Sequence, residues 1–271
     1  MIAPELAAAT AITADQVLTP GWYPGTSNHD HHRGRFKDCI GSSFVKTFAD
    51  RSAAHARETI INPSDPTPTL IFGNAFHSLV AGAVDEVKVV DKPKTAQQNG
   101  EIYQIHTSTY NSIMAMIDAM KRHPIAKKLM IIPDKETTGI WVDVNHRLWC
   151  KIRPDAIDHE NRIIVDWKST MDASFDSFNK DIFKYSYHVS AAYYKWGVKA
   201  LTGHDYAFIA VAVEKAPPYG INCYNISGMA IRKAWEKIGD CLGDLADCVA
   251  DDKWPNYEPR LWEPDVPSYI L

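Results

Sequence analysis

WCKIRPDAIDHENRIIVDWKST, residues Trp149–Thr170, is two apolar runs around a polar turn. Leu148 to Ile157 and Arg162 to Lys168 are rich in β-branched and aromatic side chains. They flank Asp158-His159-Glu160-Asn161, so a β-hairpin is predicted. Successive strand side chains point to opposite faces, which puts Asp166 and Lys168 together and turns Val165 and Trp167 toward a core. The first strand likewise puts Lys151, Arg153 and Asp155 on one face. A charged group inside Ile163-Ile164-Val165-Asp166-Trp167-Lys168 is costly to bury unless it is paired or binds a metal. Asp155 and Asp166 are hard oxygen ligands of the kind that suits Mg²⁺ or Mn²⁺, with Lys168 placed to act on a developing charge. The spacing Asp-x10-Asp-x-Lys also admits a plainer reading, in which Asp155 caps the turn and Asp166 pairs with Arg153 or Lys168.

RPDAI followed by IIVDWKST resembles the active-site signature of the PD-(D/E)XK nuclease superfamily, in its RecE-like and RecB-like exonuclease branch. Gly41-Ser42-Ser43-Phe44, Gly73-Asn74-Ala75-Phe76-His77, Glu136-Thr137-Thr138-Gly139-Ile140-Trp141 and Tyr185-Ser186-Tyr187-His188-Val189 match that pattern in order. The resemblance implies an α/β nuclease core, a mixed β-sheet flanked by helices. It assigns His77, Asp155 and Asp166 to a metal, Lys168 to catalysis, and Glu136 to a supporting acid. The implied cofactor is Mg²⁺, with Mn²⁺ able to substitute. The implied activity is digestion of linear double-stranded DNA from an end, 5′ to 3′, in phage-type recombination. The implied partners are DNA ends, a single-strand annealing protein and further copies of the chain, closing a ring such as a tetramer. One position departs from RecB-type relatives, which carry a glutamine and then a tyrosine four residues on; here Ser190 and Tyr194 stand there.

The 271 residues, 45% of them hydrophobic, are enough to bury a sizeable core. The reading is a single nuclease domain over 1–271, mainly helical through 130 and sheet-bearing from 131. No run of about 18 apolar residues is present, so no membrane span is expected. The first residues lack the basic start of a secretory signal. Five cysteines without CxxC spacing read as reduced thiols rather than disulfides or an iron–sulfur site, which with the resemblance points to the cytoplasm of a bacterial or phage-infected cell. A net charge of −4 argues against coating nucleic acid through the global field, but allows a local basic groove.

Along the chain, His29, His31 and His32 read as solvated loop residues, and Arg33, Arg35 and Lys37 as possible phosphate contacts. A helix is predicted from a serine cap at Ser42 or Ser43, and another over Leu70–Ala83, where His77 is the sole ionisable group. From sequence alone His77 reads as a core histidine, and the resemblance makes it a ligand. A short strand over Glu86–Val90, a polar loop and a helix over Glu101–His123 follow. Strands are predicted at 136–143, 147–157 and 162–168, then helices at 174–184 and 187–201. Tyr185, Tyr187, Tyr193, Tyr194 and Trp196 interleave there with Lys180, Lys184, Lys195 and Lys199. That mixture suits a nucleic-acid surface on one face and a core on the other, and Arg153, Lys184 and Tyr194 are the candidate DNA contacts. Strands at 206–215 and 221–226 and a helix from the Ser227 cap to about Val249 complete the chain, before a tail expected to pack irregularly on the body. Two rivals share the core: a restriction-type endonuclease, for which no recognition element is identifiable, and a catalytically silent DNA-binding relative, against which the intact Asp155, Asp166 and Lys168 speak.

Overall fold

A computed structural model describes residues 18–83, 86–94 and 102–263. The first half comprises β1 (Gly21–Tyr23), α1 (Asn28–His32), α2 (Ser42–Asp50), α3 (Ala53–Ile61), α4 (Pro68–Ala81), β2 (Val87–Val89), β3 (Tyr103–Ile105), α5 (Thr107–Arg122) and α6 (Ala126–Met130). The second half comprises β4 (Thr138–Asp143), β5 (Leu148–Ile152), β6 (Ala156–Asp158), β7 (Ile163–Thr170), α7 (Phe175–Lys184), α8 (Tyr187–Thr202), β8 (Ala207–Glu214), β9 (Ile221–Asn225) and α9 (Gly228–Asp251).

β6-β7-β8-β9 form a mixed sheet in which β7 and β8 are parallel and both outer pairs antiparallel. Parallel neighbours need a long crossover, and α7 and α8 supply it. The strict alternation of β7 builds two cores at once. Val165 and Trp167, with Val211 and Val213 of β8, pack on Ile71 and Phe76 of α4 and Ile113, Met116 and Met120 of α5. Ile164, with Phe208, Ala210 and Ala212, packs on Val189 and Tyr193 of α8 and Ala234, Ile238 and Leu242 of α9. Each buried Ile, Phe or Met contributes about 1.5–3 kcal/mol, so the sheet is clamped from both sides. Asp166 and Lys168 share the face of Ile164, as the alternation predicts.

The single strand expected over 147–157 is two strands in two sheets. β5 pairs with β4, whose other neighbour is β1, and β6 pairs with β7. Pro154 explains the break, because it has no N–H to continue a ladder and the chain leaves one sheet for the other across Arg153-Pro154-Asp155. The shared face expected for Lys151, Arg153 and Asp155 is lost with it. Lys151 is buried and donates to the carbonyls of His31 (2.6 Å) and Phe36 (2.8 Å), away from the other two.

Four further expectations need correction. The helix predicted from Glu101 begins at Thr107, and Tyr103–Ile105 is a strand parallel to β2. Tyr103 and Ile105 are buried with Gln104 between them, a period of two too short to stand out from the helical pattern that follows, and His106 caps that helix by accepting from Ser108 N–H. Glu101 itself, parts of the loop before it, and the end of the tail lie outside the described residues. The N-cap of α2 is Gly41, with no side-chain cap bond, rather than a serine. His31 is buried and hydrogen-bonded to Thr138 Oγ1 at 3.0 Å, unlike the exposed His29 and His32. α4 starts earlier than predicted because Thr67 caps it and Pro68 takes its first position, and Gly82 ends it at φ 84°. All five cysteines are unbridged. Among the described residues no helix is long and apolar enough to cross a membrane.

Candidate metal centre

The strand break creates the site. β6 begins only opposite Val165, so past that pair the edge of β7 is open, and Trp167 N–H donates to Asp155 Oδ2 at 2.6 Å instead of to a strand. The other oxygen, Oδ1, lies 2.9 Å from His77 Nδ1 on α4. Glu136 reaches the same point from the loop before β4. Its backbone is left-handed, φ 53°, a conformation that costs a non-glycine residue about 1–3 kcal/mol. Its N–H donates to Pro154 O at 3.1 Å, and Arg153 Nε holds both its carbonyl (2.9 Å) and its carboxylate (3.1 Å). One donor atom from each of His77, Glu136 and Asp155 lies within 4.8 Å of the others, the one such metal-capable set among the described residues.

Asp166 is not in that triad. Its carboxylate pairs with Lys168 Nζ at 2.5 Å, and the Lys168 ammonium lies 5.3 Å from the Tyr187 ring at the start of α8. Burial drives the Asp166 carboxyl upward and Asp155 adds to that, against the pull of Lys168. Burial depresses Lys168, but the Asp166 and Asp155 charges outweigh it and leave its pKa raised. The same contest, won by Asp155, raises His77; for Asp155 itself, burial is outweighed by His77, Lys168 and the Trp167 N–H, which lower it. Burial lifts Glu136 to about 7 despite Arg153, with Asp155 repulsion contributing. The corner thus crowds three carboxyls, Glu136, Asp155 and Asp166, among Arg153, Lys168 and His77, and burial leaves Glu136 and Asp166 reluctant to ionise.

A cavity of 440 Å³ opens from the triad, walled by Asn28, His32, Asn74, Lys135, Arg153 and Tyr194 among others. Of the candidate DNA contacts, Arg153 and Tyr194 line this cavity, and Tyr194 Oη donates to Arg153 O at 3.3 Å. Arg153 is committed to Glu136, and Lys184 is exposed over the Tyr185 ring without joining the site. Tyr193 and Trp196 pack in the core. Tyr187, which carries Lys168, reads from the sequence only as one aromatic among interleaved lysines. Its position at the first residue of α8, within the crossover, is a packing fact that no spacing announces.

A family profile described as "PDDEXK-like domain of unknown function (DUF3799)" matches residues 41–259. The chain belongs to this family. A crystal structure described as a "putative exonuclease" from Eubacterium rectale is similar in fold: it has 17% identity and a TM-score of 0.65, covering 89% of this chain and 96% of that one. No curated protein matches the chain. PDDEXK nucleases depend on a divalent metal, and the donors here fit one: two carboxylates and an imidazole, an oxygen-rich set compatible with Mg²⁺ or Mn²⁺. The elevated Glu136 pKa fits as well, since crowded acids that resist ionisation are what a cation relieves.

Proposed function

We propose that this PDDEXK-like chain is a metal-dependent exonuclease that degrades linear double-stranded DNA, 5′ to 3′, as one nuclease domain working in a ring of copies. The juxtaposition of the His77, Glu136 and Asp155 donors with the Asp166–Lys168 pair, at the open edge of β7, carries this reading. His77, Glu136 and Asp155 would hold Mg²⁺ or Mn²⁺, with Asp166 beside them. When bound, the ion supplies Lewis-acid charge at the scissile phosphate and lowers the pKa of the attacking water. Asp155 fixes the His77 ring through Nδ1, and Trp167 N–H fixes Asp155 in turn. Lys168 is kept charged by its acidic neighbours, and its ammonium orients the water or stabilises charge on the phosphate oxygens in the transition state. Arg153 holds Glu136 in its left-handed backbone and so presents the carboxylate.

Incubating the protein with Mg²⁺ and plasmid DNA, linearised or closed circular, tests the reading. Loss of the linear form with survival of the circle is expected. Equal cleavage of both would point to an endonuclease, and cleavage of neither to the silent relative. A single-strand annealing protein is the partner this activity calls for.

A further inference from the structure

Asp166 and Lys168 face α8, and α2 packs on that helix through Phe44 and Val45, which join the core of Val189 and Tyr193. The C-terminal end of α2 is anchored at the start of α8: Ser186 Oγ donates to Asp50 Oδ2 at 3.0 Å, and Lys237 of α9 pairs with Asp50 Oδ1. Ser186 precedes Tyr187, the ring beneath Lys168. Lys46 sits four residues before Asp50, hence on the same side of α2, close enough to the Asp166–Lys168 pair to feel both charges.

Every acid near Lys46 is already taken. Asp166 is engaged by Lys168, and Asp50 by Ser186 and Lys237. Among the described residues Lys46 has neither a hydrogen bond nor an ion pair. Burial and then the Lys168 charge hold its pKa down at about 8, with Asp166 and Asp50 only partly compensating. A half-buried ammonium with no counter-ion is costly to the fold, and folding energy alone would favour an apolar residue there.

We propose that Lys46 grips a backbone phosphate of the DNA strand being cut, next to the scissile one, on the α8 side of β7. The proposal rests on the nuclease reading above. Lys168 has an acid of its own and serves the reacting phosphate, whereas Lys46 is the uncommitted cation whose anion arrives with the substrate. The triad approaches from the α4 side, so a strand lying across the open edge of β7 meets metal donors on one side and this lysine on the other. Phosphate contacts position a duplex without reading its sequence, which suits an enzyme that digests any end.

Fluorescence anisotropy of a labelled linear duplex, measured in EDTA across about 50–200 mM salt, tests this without any turnover. Lys46→Met is expected to bind several-fold more weakly, with a log–log salt slope smaller by about 0.9, the signature of one lost phosphate contact. Lys46→Arg should restore both, and the melting temperature of Lys46→Met should equal or exceed that of the wild type. Unchanged affinity and slope in Lys46→Met would overturn the proposal, as would a weakened Lys46→Met with an unaltered slope or a lowered melting temperature. If Lys46→Met does not fold, Lys46→Gln gives the same readout. Failure of the wild type to bind DNA at any salt would sink the nuclease reading itself, a result that differs from a wild type that binds and a variant that matches it.

Discussion

Asp155 has two jobs in this structure, and they separate by substitution. Its charge faces His77, and its Oδ2 replaces a missing strand partner for Trp167 N–H. Asp155→Ala leaves that buried N–H unpaired and should cost about 1–3 kcal/mol of stability, whereas Asp155→Asn keeps an acceptor and, at a pH above the raised His77 pKa where the ion pair no longer contributes, should unfold in urea near the wild-type midpoint. Equal stability of the two variants would remove the structural job. The protons at the site give a second expectation. His77 is raised above its ordinary value and Glu136 stands at about 7, so near neutral pH the metal-free site holds protons that a cation must displace. Affinity for Mn²⁺ should therefore climb as pH rises toward and past 7, and calorimetry in buffers of different ionisation heat should report proton release. In the metal-free protein the sign is opposite for stability: the charged His77–Asp155 pair stabilises below the raised His77 pKa, and that contribution fades as pH rises through it. Metal binding without proton release would mean that these groups are not the ligands. The juxtaposition of Asp166 and Lys168 was legible in the sequence because a strand alternates with period two. The pairing of His77 with Asp155, and of Arg153 with Glu136, was not, because nothing local encodes contacts across distant segments; His77 and Glu136 came from the motif resemblance alone.

Among the elements, the hairpin of β6 and β7 was legible from its polar turn, while the split between β5 and β6 was not, since Leu148–Ile157 keeps its alternation and only Pro154 marks the change of sheet. The three-residue β3 escaped because it is shorter than any window in which a period can be counted. The packing of α8 on the sheet of β4 and β5 rests on a residue the sequence did not flag. A Cβ on Gly197 would stand 2.6 Å from Trp141 Cζ3 and 3.0 Å from Ile152 Cδ1. Gly197→Ala must push the Trp141 ring aside and should cost about 1–3 kcal/mol, read from urea unfolding. Because α8 also carries Tyr187 beneath Lys168, the same variant should slow DNA cleavage if the crossover helix sets the position of that lysine. A stability equal to wild type would show that the helix has room to shift.

At the scale of the whole molecule, charge is segregated. Glu236, Asp240, Asp244, Asp247 and Asp251 are exposed along α9, where they outnumber Arg232, Lys233 and Lys237 and disfavour a duplex on that face. A chain of net charge −4 whose site cations Arg153 and Lys168 are already paired with acids should release its polyanionic substrate after few cuts, because phosphate contacts supply most nonspecific affinity. Ring closure by further copies would hold the duplex topologically, with exposed Tyr257 and Trp262 as available anchors. In such a ring, 5′-end label is released early, 3′-end label late, and competitor DNA added after binding barely slows digestion. Early 3′ release would defeat the polarity, and a monomeric mass with immediate arrest by competitor would defeat the ring. Beneath all of this lies the metal centre, and it is tested most directly by end-labelled linear duplex incubated with wild type and with Asp155→Asn, each in Mg²⁺ and in EDTA. Cleavage by the wild type in Mg²⁺ alone is the expected result; cleavage in EDTA, or at the wild-type rate by folded Asp155→Asn, would contradict it.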